Sequence, residues 1–207
     1  MSQYFKIHPV NPQARLLNRT AEAIRAGGIV VYPTDSSYAL GWHIGDKGAL
    51  ERVRRLRGME RDHDFTLACR DLSDIATYAR VENWAYRLLK ALTPGPYTFI
   101  LRATHEVPKR LQDPKRRSIG IRIPDNEIAQ ALLTCLGEPL MSSTLLLPGE
   151  SLPMTDPEEI RDKLDRHVEV VLDGGSCGLE PTSVLDLSSG EVVVLRKGKG
   201  DVSAFES

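Results

Sequence analysis

Aromatic residues make up only 6% of this chain, and cysteine occurs three times, at Cys69, Cys135 and Cys177. The cysteines lie far apart, in odd number and in no Cys-x-x-Cys pair. Neither a disulfide framework nor a cysteine-built zinc site is indicated, and reduced thiols in a cytoplasmic compartment are expected. No apolar run approaches the roughly 18 residues that a membrane helix needs. The start, Met1-Ser2-Gln3-Tyr4-Phe5-Lys6, has no basic leader followed by an apolar core, so no signal peptide is read there. Absent too are Gly-x-x-x-x-Gly-Lys-Ser/Thr, Gly-x-Gly-x-x-Gly after a strand, His-Glu-x-x-His and Gly-x-Ser-x-Gly. The five histidines stand singly, which argues against a protein-built metal site. A formal net charge of -1 gives no global pull toward nucleic acid or anionic lipid, so any such attraction must come from local clusters. These absences leave a soluble cytoplasmic protein with no membrane partner. They argue against a standard dehydrogenase, metalloprotease or P-loop enzyme.

What is present is ordinary in bulk and specific in detail. Of the 207 residues, 41% are hydrophobic and 27% charged, enough to bury a large core in one domain. The organising stretch runs from Val30 through Gly41. Ile29, Val30, Val31 and Tyr32 form a β-branched and aromatic run that reads as a buried strand. Pro33 cannot donate to a ladder and should end it. Thr34-Asp35-Ser36-Ser37 then crowd hydroxyls and a carboxylate at the strand's carboxyl end, where open α/β sheets place ligands. A polar turn that satisfies its own backbone would look the same.

Elsewhere strands and helices alternate. A first strand is expected over 5–8, a helix over 12–26 ended by Gly27-Gly28, and a helix capped by Asp46 with Leu50, Val53 and Leu56 facing inward. Strands follow over 65–69, 97–101, 119–124, 168–172, 183–187 and 192–195, and Pro139-Leu140-Met141 is short and apolar. Further helices carry Trp84, Leu88, Leu89 and Leu92, then Ile128, Leu132, Leu133 and Leu136, and one opens at Thr155-Asp156-Pro157. Two basic clusters stand out: Arg52, Arg54, Arg55 and Arg57, with Arg61 beyond, and Lys109, Arg110, Lys115, Arg116 and Arg117. Each is either a solvated face with aliphatic stems over the core or a wall able to meet phosphates. Arg122 ends an apolar strand and needs a partner or water. With no repeat or linker, the pattern predicts one α/β domain, residues 1–207, with a mixed sheet.

Several segments, in this order and spacing, resemble the YrdC/YciO-like family over nearly the whole chain. They are Tyr32-Pro33-Thr34-Asp35 with Tyr38-Ala39-Leu40-Gly41, Pro94-Gly95-Pro96-Tyr97-Thr98, Ile121-Arg122-Ile123-Pro124, Pro181-Thr182-Ser183-Val184-Leu185-Asp186 and Leu195-Arg196-Lys197-Gly198. The ending, Val194 through Val202, is most similar to the YciO branch. The resemblance implies a YrdC/RibB-like twisted mixed sheet with helices on both faces and a basic concave cleft. It also implies synthesis of threonylcarbamoyl-adenylate from L-threonine, bicarbonate and ATP with magnesium, the donor for a tRNA modification. On that resemblance Thr34, Tyr38 and Arg122 would line the threonine end, and Arg57, Thr144, Ser183 and Arg196 the nucleotide end.

Two departures bear on activity. The family's Lys-x-Arg aligns with Arg57-Gly58-Met59, and its Ser-x-Asn with Thr144-Leu145-Leu146. Sliding to Arg55-Leu56-Arg57 restores two cations but takes Leu56 off the core stripe. A second cation thus becomes methionine and an amide becomes leucine, each loss costing about 1.5–3 kcal/mol where one partner is charged. The expectation is a nucleotidyltransferase of weak or altered activity. The alternative is a protein that binds double-stranded RNA or tRNA through its basic clusters, without synthase activity.

Overall fold

Along Val30–Tyr32 every side chain is buried, yet the three do not share a core. Val31 joins one apolar cluster, while Val30 and Tyr32 join another. A strand buried on both faces requires a layer on each side of its sheet. The computed structural model, which describes residues 1–59 and 65–206, supplies them.

The strands are β1 (Gln3–Lys6), β2 (Val30–Tyr32), β3 (Ala39–His43), β4 (Thr66–Ala68), β5 (Tyr97–Arg102), β6 (Ser118–Arg122), β7 (Leu140–Thr144), β8 (Val170–Asp173), β9 (Ser183–Asp186) and β10 (Val193–Arg196). The helices are α1 (Ala14–Arg25), α2 (Lys47–Arg57), α3 (Leu72–Tyr78), α4 (Asn83–Leu92), α5 (Glu127–Leu136) and α6 (Pro157–Leu164). All ten strands form one mixed sheet in the order β1-β8-β2-β3-β7-β4-β6-β5-β9-β10. The pairs β1–β8, β2–β8, β4–β6 and β5–β9 are parallel and the rest antiparallel. This is the single mixed α/β domain that the alternation of elements implies.

One face carries Val31, Leu40, Trp42, Leu67, Phe99, Ile121 and Leu185 against α2, α3, α4 and α6. The other carries Val30, Tyr32, Ala39, Ala68, Leu140, Val170 and Leu172 against only α1 and α5. The local signals are those that end helices in general. Asp46 Oδ1 accepts from Ala49 N at 2.8 Å, Asn126 Oδ1 from Ala129 N at 3.0 Å, and Asp156 Oδ1 from Glu158 N at 2.8 Å. Gly58 and Gly137 close α2 and α5 in the left-handed region.

Three expectations are corrected. The first strand lies at Gln3–Lys6 rather than 5–8, because its register is set by pairing with β8, Gln3 opposite Val170. Helix α1 begins at Ala14, two residues later than expected, behind Gln13, which makes no side-chain cap. The segment 39–43 is a strand in its own right, paired with both β2 and β7. Arg61 lies outside the described residues.

The sheet's far edge is fastened by a close crossing. A Cβ on Gly198 would lie 2.3 Å from Pro181 O and 2.6 Å from Thr182 O, both backbone atoms. Gly198→Ala should therefore push the chain after Arg196 away from the start of β9, at a cost of about 1–3 kcal/mol. Urea unfolding of the variant beside the parent measures this.

Candidate functional site

The division of the α1–α5 face locates the site. Leu140 and Ala68 lie under the two helices, but Ser142 and Thr66, two residues along the same strands, do not. From there across β6, β5 and β9 this face presents Gly120, Ser118, Thr98, Ile100 and Val184 to a cavity of about 470 Å³. Four arginines reach it, from a helix end (Arg57), a loop (Arg116) and two strand ends (Arg122, Arg196).

Arg122 is 7% exposed. It pairs with the Asp35 carboxylate, and its second terminal nitrogen donates to Ser36 Oγ at 3.2 Å. Asp35 is the partner that a strand-end arginine requires. The pair is not saturated, since Arg122 Nε and Asp35 Oδ2 are buried without a hydrogen-bond partner. Arg57 reaches across from α2, donating from Nε to Leu146 O at 3.1 Å and from a terminal nitrogen to Ser143 Oγ. Burial lowers its pKa to about 10. At neutral pH it is therefore a cation already stripped of part of its hydration. Arg196 donates to Thr182 O at 2.9 Å and to Thr182 Oγ1 at 3.0 Å, and burial of its inner side lowers its pKa. Arg116 is held by Asp186 at 2.8 Å. Among the described residues, neither Arg57 nor Arg196 has a carboxylate within ion-pair distance.

Of the residues singled out in sequence, Arg57, Arg122, Thr144 and Arg196 line the cavity together. Thr34, Tyr38 and Ser183 are buried around it with their hydroxyls committed to backbone. Thr34 Oγ1 donates to Ser37 O at 2.6 Å and accepts from Ser36 N at 3.1 Å. The Tyr38 hydroxyl donates to Gly175 O at 2.7 Å and accepts from Gly174 N at 3.2 Å, and burial raises its pKa. Ser183 Oγ donates to Gly200 O at 2.5 Å and accepts from Gly198 N at 2.9 Å. Residues that sequence reasoning did not single out are Thr182 and Ser143, while Arg116, expected only as part of the second basic cluster, joins the cavity. Strand parity was the signal for Thr182: Ser183 and Leu185 point to the core, so Thr182 and Val184 face the cavity.

Of the four arginines Arg52, Arg54, Arg55 and Arg57, the phosphate-facing reading is left to Arg57 alone. Arg52 pairs with Glu169 at 2.8 Å, Arg54 with Glu51 at 2.7 Å, and Arg55 Nε reaches Glu51 O at 3.4 Å. Of these four only Arg57 lines the cavity. Met59 packs partly against the core with Sδ 3.7 Å from an Arg57 terminal nitrogen, whereas Leu146 lines the cavity. Among the described residues, no cluster of three or more His, Cys, Asp or Glu side chains is placed to hold a metal ion.

The chain and its fold have matches among known proteins. The Sua5/YciO/YrdC family model, described as "Telomere recombination", matches residues 22–198. The chain belongs to this family. It is 55% identical to YciO of Escherichia coli strain K12, an uncharacterized protein, over 99% of this chain and 100% of that one. The crystal structure of E. coli YciO matches with a TM-score of 0.95 and covers 100% of both chains. Mus musculus threonylcarbamoyl-AMP synthase is 31% identical over 190 residues, which span 88% of this chain and 66% of the mouse protein. Pyrococcus abyssi is represented by "P. abyssi Sua5 complexed with L-threonine", with a TM-score of 0.88 at 23% identity, covering 99% of this chain and 60% of that one. At that identity the likeness is one of fold.

The Asp35–Arg122 pair yields a prediction about this member of the family. Asp35→Ala leaves a buried guanidinium uncompensated and should cost about 3–5 kcal/mol of stability. Adding Arg122→Met should restore much of that loss, because two well-packed neutral side chains replace one orphaned charge. Denaturant unfolding of both singles and the double closes the cycle.

Proposed function

We propose that the arginine cavity binds ATP, with its magnesium, beside L-threonine and bicarbonate, and forms threonylcarbamoyl-adenylate weakly or with an altered substrate. The observation that carries this reading is that Arg57 and Arg196, which among the described residues have no carboxylate within ion-pair distance, line one cavity. Such cations suit a phosphate chain, which guanidinium groups meet with paired hydrogen bonds. Relatives named threonylcarbamoyl-AMP synthase, and the Sua5 structure complexed with L-threonine, support the choice of substrates.

In this reading Arg122, which lines the cavity, meets the threonine carboxylate or the carbamate. Thr34 and Tyr38 act as the frame of the threonine end, holding the 34–38 loop and the Gly174-Gly175 turn against each other. Arg57, Thr144 and Arg196 take the nucleotide phosphates, and Ser183 holds the strand end that aims Arg196. The threonine amine adds to bicarbonate and water leaves, giving the carbamate. A carbamate oxygen then attacks the α-phosphorus, and the bond to the β-phosphate breaks to release pyrophosphate. Charge accumulates on phosphate oxygens throughout, so the protein's contribution is positioning and preorganised positive charge. Magnesium enters with the phosphates as part of the substrate.

The weak grip follows from Met59 and Leu146. Arg57→Lys, Met59→Arg, Leu146→Asn and Thr144→Ser together should raise formation of the adenylate from ATP, threonine and bicarbonate. Two restored contacts are worth at most about 3–5 kcal/mol, and realised gains should be smaller because the side chains that would hold them are missing. Leu146 lines the cavity and is only half-buried, so an asparagine there keeps access to water. Product formation and melting temperature, measured on the same preparations, test the reading. A stably folded variant with no more product than the parent means that the cavity serves another ligand.

A further inference from the structure

The second basic cluster does not belong to the arginine cavity, apart from Arg116. Three of its members, Lys109, Arg116 and Arg117, line a second hollow of about 600 Å³, formed where the 104–117 connection folds against the end of β5 and the start of the α3–α4 link. The walls are tied by main-chain bonds: Arg80 N to Arg102 O at 2.8 Å, Ala103 N to Arg117 O at 2.9 Å and Asp113 N to Ser118 O at 2.8 Å. Five cations line it, namely Arg80, Arg102, Lys109, Arg116 and Arg117, against one carboxylate, Asp113. Asp113 is occupied within its own loop, where Oδ1 accepts from Lys115 N at 2.9 Å and from Arg116 N. Among the described residues, Arg80, Lys109 and Arg117 have no carboxylate within ion-pair distance.

Like charges gathered in one concavity repel one another, and the field is strongest inside it. Arg117 adds a second cost, since its φ of 53° is the only left-handed value at a non-glycine residue among those described. The hollow falls within the range of small-ligand sites rather than that of an extended track. Among the described residues no Phe, Tyr or Trp lines it, and its one imidazole, His105, stands exposed beside Glu106 at 2.9 Å, so it offers no stacking platform of the kind that single-stranded sites use.

We propose that this outer hollow is a second anion site, for a compact ligand bearing several phosphates in a row, recognised by those phosphates and not by a base. It stands independently of the function proposed for the arginine cavity. The two share a wall, because Asp113 and Arg116 line both. A phosphate that draws Arg116 off Asp186 also changes the charge available inside.

Inorganic tripolyphosphate titrated calorimetrically at low salt is the direct probe. Two sites per chain are expected if the arginine cavity also takes phosphates, and one if it does not. In either case one site should weaken at least about tenfold in Lys109→Ala/Arg117→Gly and stay within about twofold in Arg57→Ala/Arg196→Ala. Without phosphate, Arg117→Gly should melt higher than the parent at low salt, since glycine accepts that backbone and one repelling charge is gone. Lower phosphate affinity in a more stable protein is a result that a merely structural role for Arg117 does not produce. Three results overturn the proposal: no tripolyphosphate binding at millimolar concentration, binding lost only with Arg57 and Arg196, or a short RNA duplex bound more tightly than tripolyphosphate and lost in Lys109→Ala/Arg117→Gly.

Discussion

Two helices cannot cover one whole face of a ten-stranded sheet, and the chemistry of this protein follows from that shortfall. Helices α1 and α5 reach as far as Leu140 and Ala68. Beyond them the same face must meet water or a ligand, so Thr66, Thr98, Ser118, Gly120 and Ser142 interrupt the aliphatic residues, of which Ile100 and Val184 remain, while the opposite face stays apolar. The boundary falls within single strands, where one step of two residues carries β7 from Leu140 to Ser142 and β4 from Ala68 to Thr66. A half-covered face thus leaves the fold an open cavity, the place where a small ligand is usually taken.

Arginine is placed around this floor in two electrostatic conditions. Arg122 and Arg116 are held by Asp35 and Asp186, and their charge is largely spent on the protein itself. Arg57 and Arg196 rest on neutral oxygens, from Leu146 and Ser143 in one case and Thr182 in the other. Neutral acceptors orient a guanidinium without cancelling its charge, and burial strengthens its pull on any anion that arrives. Loops are made rigid by the hydroxyls of Thr34, Tyr38 and Ser183, which satisfy backbone groups around the cavity. A cavity whose walls are held this way loses little order when it is filled.

Much of the fold was legible in sequence because its signals are local. Asp46, Asn126 and Asp156 sit before apolar stripes at capping positions, and Pro33 ends β2 beside its polar turn. The short strand β3 was hidden inside a motif, since Ala39-Leu40-Gly41-Trp42-His43 alternates weakly and owes its state to partners on both sides. For the site, Arg122 was legible because a charge at the end of an apolar run has few places to go, while Arg196 came from the family resemblance. Side-chain direction was less accessible. A hydroxyl near a ligand and a hydroxyl holding a loop have the same sequence, which is why Thr34, Tyr38 and Ser183 could not be told from Thr182 and Ser143 by type alone. The arginines of α2 show the same limit, for their partners Glu169 and Glu51 are set by tertiary contact in one case and by helical spacing in the other.

The central claim is that the uncovered half of the sheet is an anion-binding cavity that takes a nucleotide and an amino acid together. The melting temperature with ATP and magnesium, with threonine, and with both in the presence of bicarbonate tests it most directly. A ligand at about 100 times its dissociation constant stabilises the folded state by roughly 2.7 kcal/mol, which is a shift of about 5–11 °C for a domain of this size. The account predicts a rise with ATP that Arg57→Ala and Arg196→Ala each diminish, and a larger rise when threonine and bicarbonate are added. An unchanged melting temperature under every combination, at millimolar ligand, contradicts it.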